Sequence, residues 1–158
     1  MQSLSPYFLY LHSIIRYFII LFTAIVAIQS LVGMMGKKEF KKTNKRMALF
    51  MLISCDLQLL LGLALYFGNG WFKALTAGGA MANPATRFWT VEHSVGMIVA
   101  LVLVHMGYAI TKKNMDDDRK YKRLFWFSFL ALAIFMATIP WEAKQLVGRP
   151  NIPSLHRM

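Results

Sequence analysis

Residues 7–35 read YFLYLHSIIRYFIILFTAIVAIQSLVGMM, an apolar run interrupted by only two ionisable side chains, His12 and Arg16. A helix needs roughly 20 apolar residues to cross the hydrocarbon core of a bilayer, and this run exceeds that. Working outward, residues 47–67, 89–110 and 124–141 form three more such runs, the last the shortest. Residues 1–158 are therefore expected to form a single all-α membrane domain, a four-transmembrane-helix up-down-up-down bundle. The chain starts without a basic segment and its first run is long, so that run reads as a permanent span rather than a cleaved signal peptide.

Composition agrees. Hydrophobic residues make up 57% of the 158 and charged residues 16%. A soluble domain this small leaves too much of its surface exposed to hide that apolar content. The one cysteine, Cys55, sits inside an apolar run. It has no partner for an internal disulfide, a zinc site or covalent haem attachment.

The net charge of +11 is a matter of placement. Segments 36–46 and 112–123 each carry six Lys or Arg, whereas loop 68–88 has two, the tail after Trp141 has three and the N-terminal tail has none. The positive-inside rule puts the two basic loops in the cytoplasm and both termini, with loop 68–88, on the outer, periplasmic side of a bacterial inner membrane. Attraction to anionic lipid adds to this. With the charge split between loops and no recognition module, nucleic acid is excluded as a partner.

Local signals mark the span ends. Tyr7, Tyr10, Tyr66, Trp71, Trp89, Trp126 and Trp141 suit the lipid–water interface. Asn83-Pro84 reads as an N-cap followed by proline at the first helical position, and Pro140 is expected to close the fourth span. Loop 68–88, rich in Gly and Ala, reads as a flexible or interfacial cover with Trp71 and Phe72 dipping into lipid. Asp116, Asp117 and Asp118 read as solvated charge in a turn, and His156 as a solvated tail residue.

Ionisable residues inside spans are costly and point by default to function. They are His12 and Arg16 in the first span, Asp56 in the second, and Glu92, His93 and His105 in the third. The fourth span has none and is expected to complete the bundle. The first and third spans run in the same direction, and His12 and His93 lie four to five residues past the aromatic residues that open them. A rise of about 1.5 Å per residue puts both at nearly one depth below the outer surface. Two imidazoles so placed can act as the axial ligands of a haem iron, with Gly96 and Ala100 making room for the macrocycle. They can equally hydrogen-bond to each other, to backbone or to water. Arg16, one turn below His12 on the same face, calls for an anion: Glu92, a haem propionate or Asp56. An Arg16–Glu92 ion pair locking two helices has equal standing with the propionate. His105 lies about 120° around the helix from His93 and has no histidine partner, so a hydrogen bond to Asp56 is expected instead, neutralising two costly groups. Gln58 is expected to point elsewhere, and Met97 to serve packing.

The run Leu11-His12-Ser13 with Arg16-Tyr17, the run Gln58-Leu59-Leu60-Leu61-Gly62, the Glu92-His93 pair and Ile139-Pro140-Trp141 resemble the small four-helix bacterial membrane proteins labelled cytochrome b or cytochrome b561-like. The resemblance covers residues 9–141. It implies haem b, one per chain, and electron transfer linked to quinol oxidation, to a redox protein partner or to a larger respiratory complex. Relatives often carry histidine where this chain has Asp56, a departure that removes a ligand from the second span and leaves His12 and His93 untouched. Two readings without haem stand beside it: an anchoring or stabilising subunit of a larger membrane complex, and a small transporter or proton-conducting protein using Asp56 and His105. No catalytic residues are indicated, and an enzyme role would be that of an electron-transfer subunit.

Overall fold

The computed structural model describes residues 5–150. Its elements are α1 (Ser5–Met35), α2 (Lys42–Gly68), α3 (Trp71–Thr76), α4 (Pro84–Arg87), a π-helical turn over Phe88–Glu92, α5 (His93–Ile110) and α6 (Asp117–Thr138), with no strand among the described residues. Four helical stretches are long and apolar enough to cross a membrane: Pro6–Met35, Lys42–Gly68, Pro84–Ile110 and Asp117–Thr138. The four-helix bundle expected from the sequence is the fold. α1 packs against α2 and α6, and α5 packs against α6 and more lightly against α2, so α1 and α5 lie across a diagonal.

Small residues let the helices approach, as membrane bundles require when lipid offers no hydrophobic contrast. Ala48, Ala100, Ala131, Thr23, Ser30 and Ser128 are all fully buried at the seams. Ser128 donates to the Leu124 carbonyl of its own helix, so its hydroxyl carries no unpaired cost. Larger core side chains, Met51, Leu124, Val26 and Val104, fill the space between. The outside of the bundle exposes Ile28, Leu60, Val102 and many other large apolar groups, which lipid covers and water could not.

Helix ends differ from the sequence reading where local chemistry overrides run length. α2 starts at Lys42, well before the apolar stretch, because Asn44 Oδ1 accepts the Lys41 N–H at 3.0 Å and Lys and Arg propagate helix well. The third span starts at Pro84, where Asn83 Oδ1 accepts the Thr86 N–H at 3.0 Å. The Asn83-Pro84 signal is thus used, but the helix then widens into the π turn instead of running straight from Trp89. α6 ends at Thr138, short of Trp141. The residue before a proline is pushed out of the helical region, and Ile139 is extended (φ −63°, ψ 134°). Loop 68–88 holds the short helix α3, whose Trp71 ring stacks on Trp89 at 6.2 Å while Phe72 is exposed. Asp116, Asp117 and Asp118 open α6 rather than sitting in a free turn, and Asp117 Oδ2 accepts the Phe40 N–H at 3.0 Å. His156 lies outside the described residues.

Candidate functional site: two histidines across the bundle

The end of α6 builds one wall of the site. A helix leaves its last four carbonyls without helical donors, and Pro140 has no N–H to offer Met136. Three side chains take over. Trp141 Nε1 donates to the Met136 carbonyl at 2.8 Å, Lys144 Nζ to that of Ala137 at 2.6 Å, and His93 Nδ1 to that of Thr138 at 3.0 Å. Lys144 also places its charge at the negative end of the α6 dipole.

The bond from His93 decides a tautomer. A carbonyl oxygen only accepts, so the ring proton is on Nδ1, and the neutral ring keeps its Nε2 lone pair for a ligand. A backbone carbonyl or carboxylate behind one ring nitrogen is how metal-binding histidines are commonly oriented. The π turn immediately before His93 sets its azimuth, and such turns recur at functional sites. Phe88 and Trp89, from that turn, flank the ring with centroids at 5.8 and 5.7 Å.

His12 reaches in from α1. Its ring centroid is 6.4 Å from that of His93, at an interplanar angle of 65°. Gln58 Nε2 on α2 donates to the His12 carbonyl at 2.9 Å. Gly62, one turn further along α2, lets the ring lie against backbone: a Cβ there would come within 3.3 Å of His12 Cε1. His12 Nδ1 and Gln58 Oε1 are buried with no hydrogen-bond partner among the described residues. Buried polar atoms without partners are uncommon and call for an explanation such as a bound group or water.

The remaining polar residues sort into three places. Arg16 is buried (6% exposed). Its Nη2 donates to Tyr17 Oη at 3.1 Å and to the Pro150 carbonyl at 3.2 Å, and its guanidinium lies over the Tyr17 and Trp141 rings. Arg16 does not meet Glu92. The Glu92 carboxylate pairs with Arg87 at 2.6 Å on the surface, because the π turn brings residues five apart onto nearly one face. Asp56 Oδ1 accepts from His105 Nε2 at 2.9 Å, away from the His12–His93 pair and on the outside of the bundle. Met97 packs at α6, with its sulfur 3.9 Å from the Thr138 hydroxyl oxygen.

The separation of the two rings is compatible with two imidazoles on one metal ion. An imidazole–metal bond of about 2 Å on each side of one iron sets two ring centroids roughly 6 Å apart, and the observed 6.4 Å is close to that. No group of three or more His, Cys, Asp or Glu is gathered among the described residues. Two imidazoles fall short of the three or four protein ligands of a zinc site, whereas a porphyrin brings its own equatorial nitrogens. The flank assigned to the macrocycle does not hold: Gly96 faces Thr138, whose Cγ2 lies 2.5 Å from where a Cβ would stand, and Ala100 is fully buried in the core. Gly96 serves the α5–α6 seam, and Ala100 the packed core. Gln58, Gly62 and Thr138 belong to the site and were not singled out for it in the sequence. A carbonyl is invisible in a side-chain inventory, but Pro140 signals that unpaired carbonyls lie just before it.

No protein-family model, curated protein or solved structure matches this chain.

Proposed function

We propose that this integral membrane protein is a b-type cytochrome or cytochrome subunit, with His12 and His93 as the axial ligands of one haem b. The observation that carries the reading is the His93 ring, whose Nδ1–H is committed to the Thr138 carbonyl while the ring faces His12 across the bundle diagonal. A bound haem supplies one-electron chemistry. The chain's part is to hold and orient. Thr138 sets the tautomer of His93, Gln58 ties the His12 backbone to α2, and Gly62 allows the ring its close approach. Arg16, buried one turn below His12, offers a cation to a propionate. The apolar walls keep bulk water away.

Both basic loops then face the cytoplasm of a bacterial inner membrane, and the histidine pair lies near the outer face. Electrons pass to or from a quinol or a redox protein there, either directly or within a larger complex.

Alanine variants purified side by side test the ligand assignment. His12→Ala and His93→Ala should each lose most bound haem, since either change opens an axial position. His105→Ala should keep its haem at close to one per chain. Loss of haem from His105→Ala with retention in His12→Ala would show that the axial pair is wrong.

A further inference from the structure

We infer that the α2/α5 face seats a second copy of this chain, with the Asp56–His105 pair at the centre of a two-fold interface. Ionisable side chains within membrane spans face protein or a water-filled cavity, because lipid cannot solvate them. This pair does neither within one chain. The side chains of His105 and Asp56 are 51% and 46% exposed on the outside of the bundle. Asp56 stands 12 residues before the end of α2 at Gly68 and 14 after its start at Lys42, about 18 and 21 Å along the axis, so the pair is bonded at the middle of that span, within a hydrocarbon core about 30 Å thick.

What surrounds the pair is apolar. Ile53, Leu57 and Leu60 are exposed on α2, and Ile98, Val102 and Met106 on α5. Their spacings of three and four residues make one stripe on each helix, with Asp56 between Ile53 and Leu60 on α2 and His105 one turn after Val102 on α5. Apolar stripes of this kind are ready to pack against another helix pair. α2 and α5 also form the lightest of the bundle's four main seams.

The chemistry of the pair selects the occupant. Nε2 and Oδ1 share one proton across 2.9 Å. In its net-neutral form the pair has one further proton, on Nδ1, and one remaining acceptor, Oδ2. When Nδ1 carries a proton, the face offers one donor and one acceptor side by side. A two-fold axis through this point sets donor against acceptor twice, because an isologous interface brings each group of one copy to its counterpart's partner. A second copy thus satisfies both groups with no additional charge, in a ring of two aspartates and two histidines. The inference does not depend on the haem reading, because the pair and the histidine site are separate.

Crosslinking in intact membranes tests it. Ile98→Cys, Val102→Cys and Met106→Cys are made singly in the full chain, with Leu130→Cys on the outer face of α6 as the comparison. The unaltered chain, whose Cys55 is buried, is the blank. Oxidation with copper phenanthroline, or a short bis-maleimide, should give a band of twice the chain mass from at least Val102→Cys, and none from Leu130→Cys or the blank. Adding Asp56→Asn and His105→Ala to Val102→Cys should reduce that band at least fivefold. Should that triple variant fail to accumulate, native mass spectrometry of the unaltered chain in lipid nanodiscs decides, and two copies per particle are expected. No adduct at any of the three positions, an adduct with a different protein, an unchanged band in the triple variant, or one copy per nanodisc would each overturn the inference.

Discussion

Gly96→Ala tests how tightly the α5–α6 seam holds the site. A Cβ at position 96 would stand 2.5 Å from Thr138 Cγ2, whereas ordinary contact begins at 3.4 Å, an overlap of about 0.9 Å. The neighbour is a β-branched side chain on a packed helix, stiff about χ1, and its hydroxyl is bound to the Ile134 carbonyl at 2.7 Å. The helices must therefore part, and overpacking of this kind costs about 1–3 kcal/mol. Thr138→Ser removes the methyl group alone. The next atoms, Cβ and Oγ1, lie at 3.3 and 3.5 Å from the added Cβ, so most of the overlap disappears. Thr138→Ser alone should cost less than the overpacking, since it gives up only the van der Waals contacts of one methyl. The double variant should then be more stable than the sum of the singles implies, by about 1–2 kcal/mol, within the range of contacting pairs. Reversible unfolding in mixed micelles, followed by tryptophan fluorescence, measures all three. Because Thr138 also holds His93, Gly96→Ala should loosen bound haem, and the double variant should recover it. A Gly96→Ala protein within 0.5 kcal/mol of the original, or strictly additive costs, would refute the close approach on which the seam depends.

Two further outcomes follow from the polar residues and loops. Asp56→Asn and His105→Ala should each lower stability, and the double variant should lose less than their sum, since neither partner is left as an unpaired charge; additive losses in the same unfolding assay would count against the pair. Reporter fusions after Lys42 and Lys113 should report cytoplasm, and fusions within loop 68–88 the outer side; the reverse pattern would invert the orientation and place the histidine pair at the cytoplasmic face.

The fold was legible because membrane spans are set by run length, which needs no tertiary knowledge. The equal depth of His12 and His93 was legible for a related reason: two helices running in the same direction share one rise per residue, so counting from their starts compares depths directly. Azimuth was harder. Glu92 and His93 are adjacent, so when one faces inward the other turns away, and the π turn gave Glu92 a nearer partner in Arg87. Gly96 does lie on the broad face of His93, but that face meets α6, and Thr138 occupies the space. Gln58 looked misdirected because its nearest polar neighbour in sequence was Asp56; its amide instead reaches the backbone of another helix. Contacts to main-chain carbonyls leave no pattern in side-chain spacing, and the two histidines are held by one each.

The absorption spectrum of the purified full-length chain, oxidised and then reduced with dithionite, tests the central claim most directly. The protein should come from haem-sufficient cells, with haem and protein quantified together. The account predicts a sharp low-spin b-type spectrum and about one haem per chain, as two histidine ligands require. A folded but colourless protein would contradict it, and would leave the chain as a haem-free membrane subunit whose histidine pair serves helix packing.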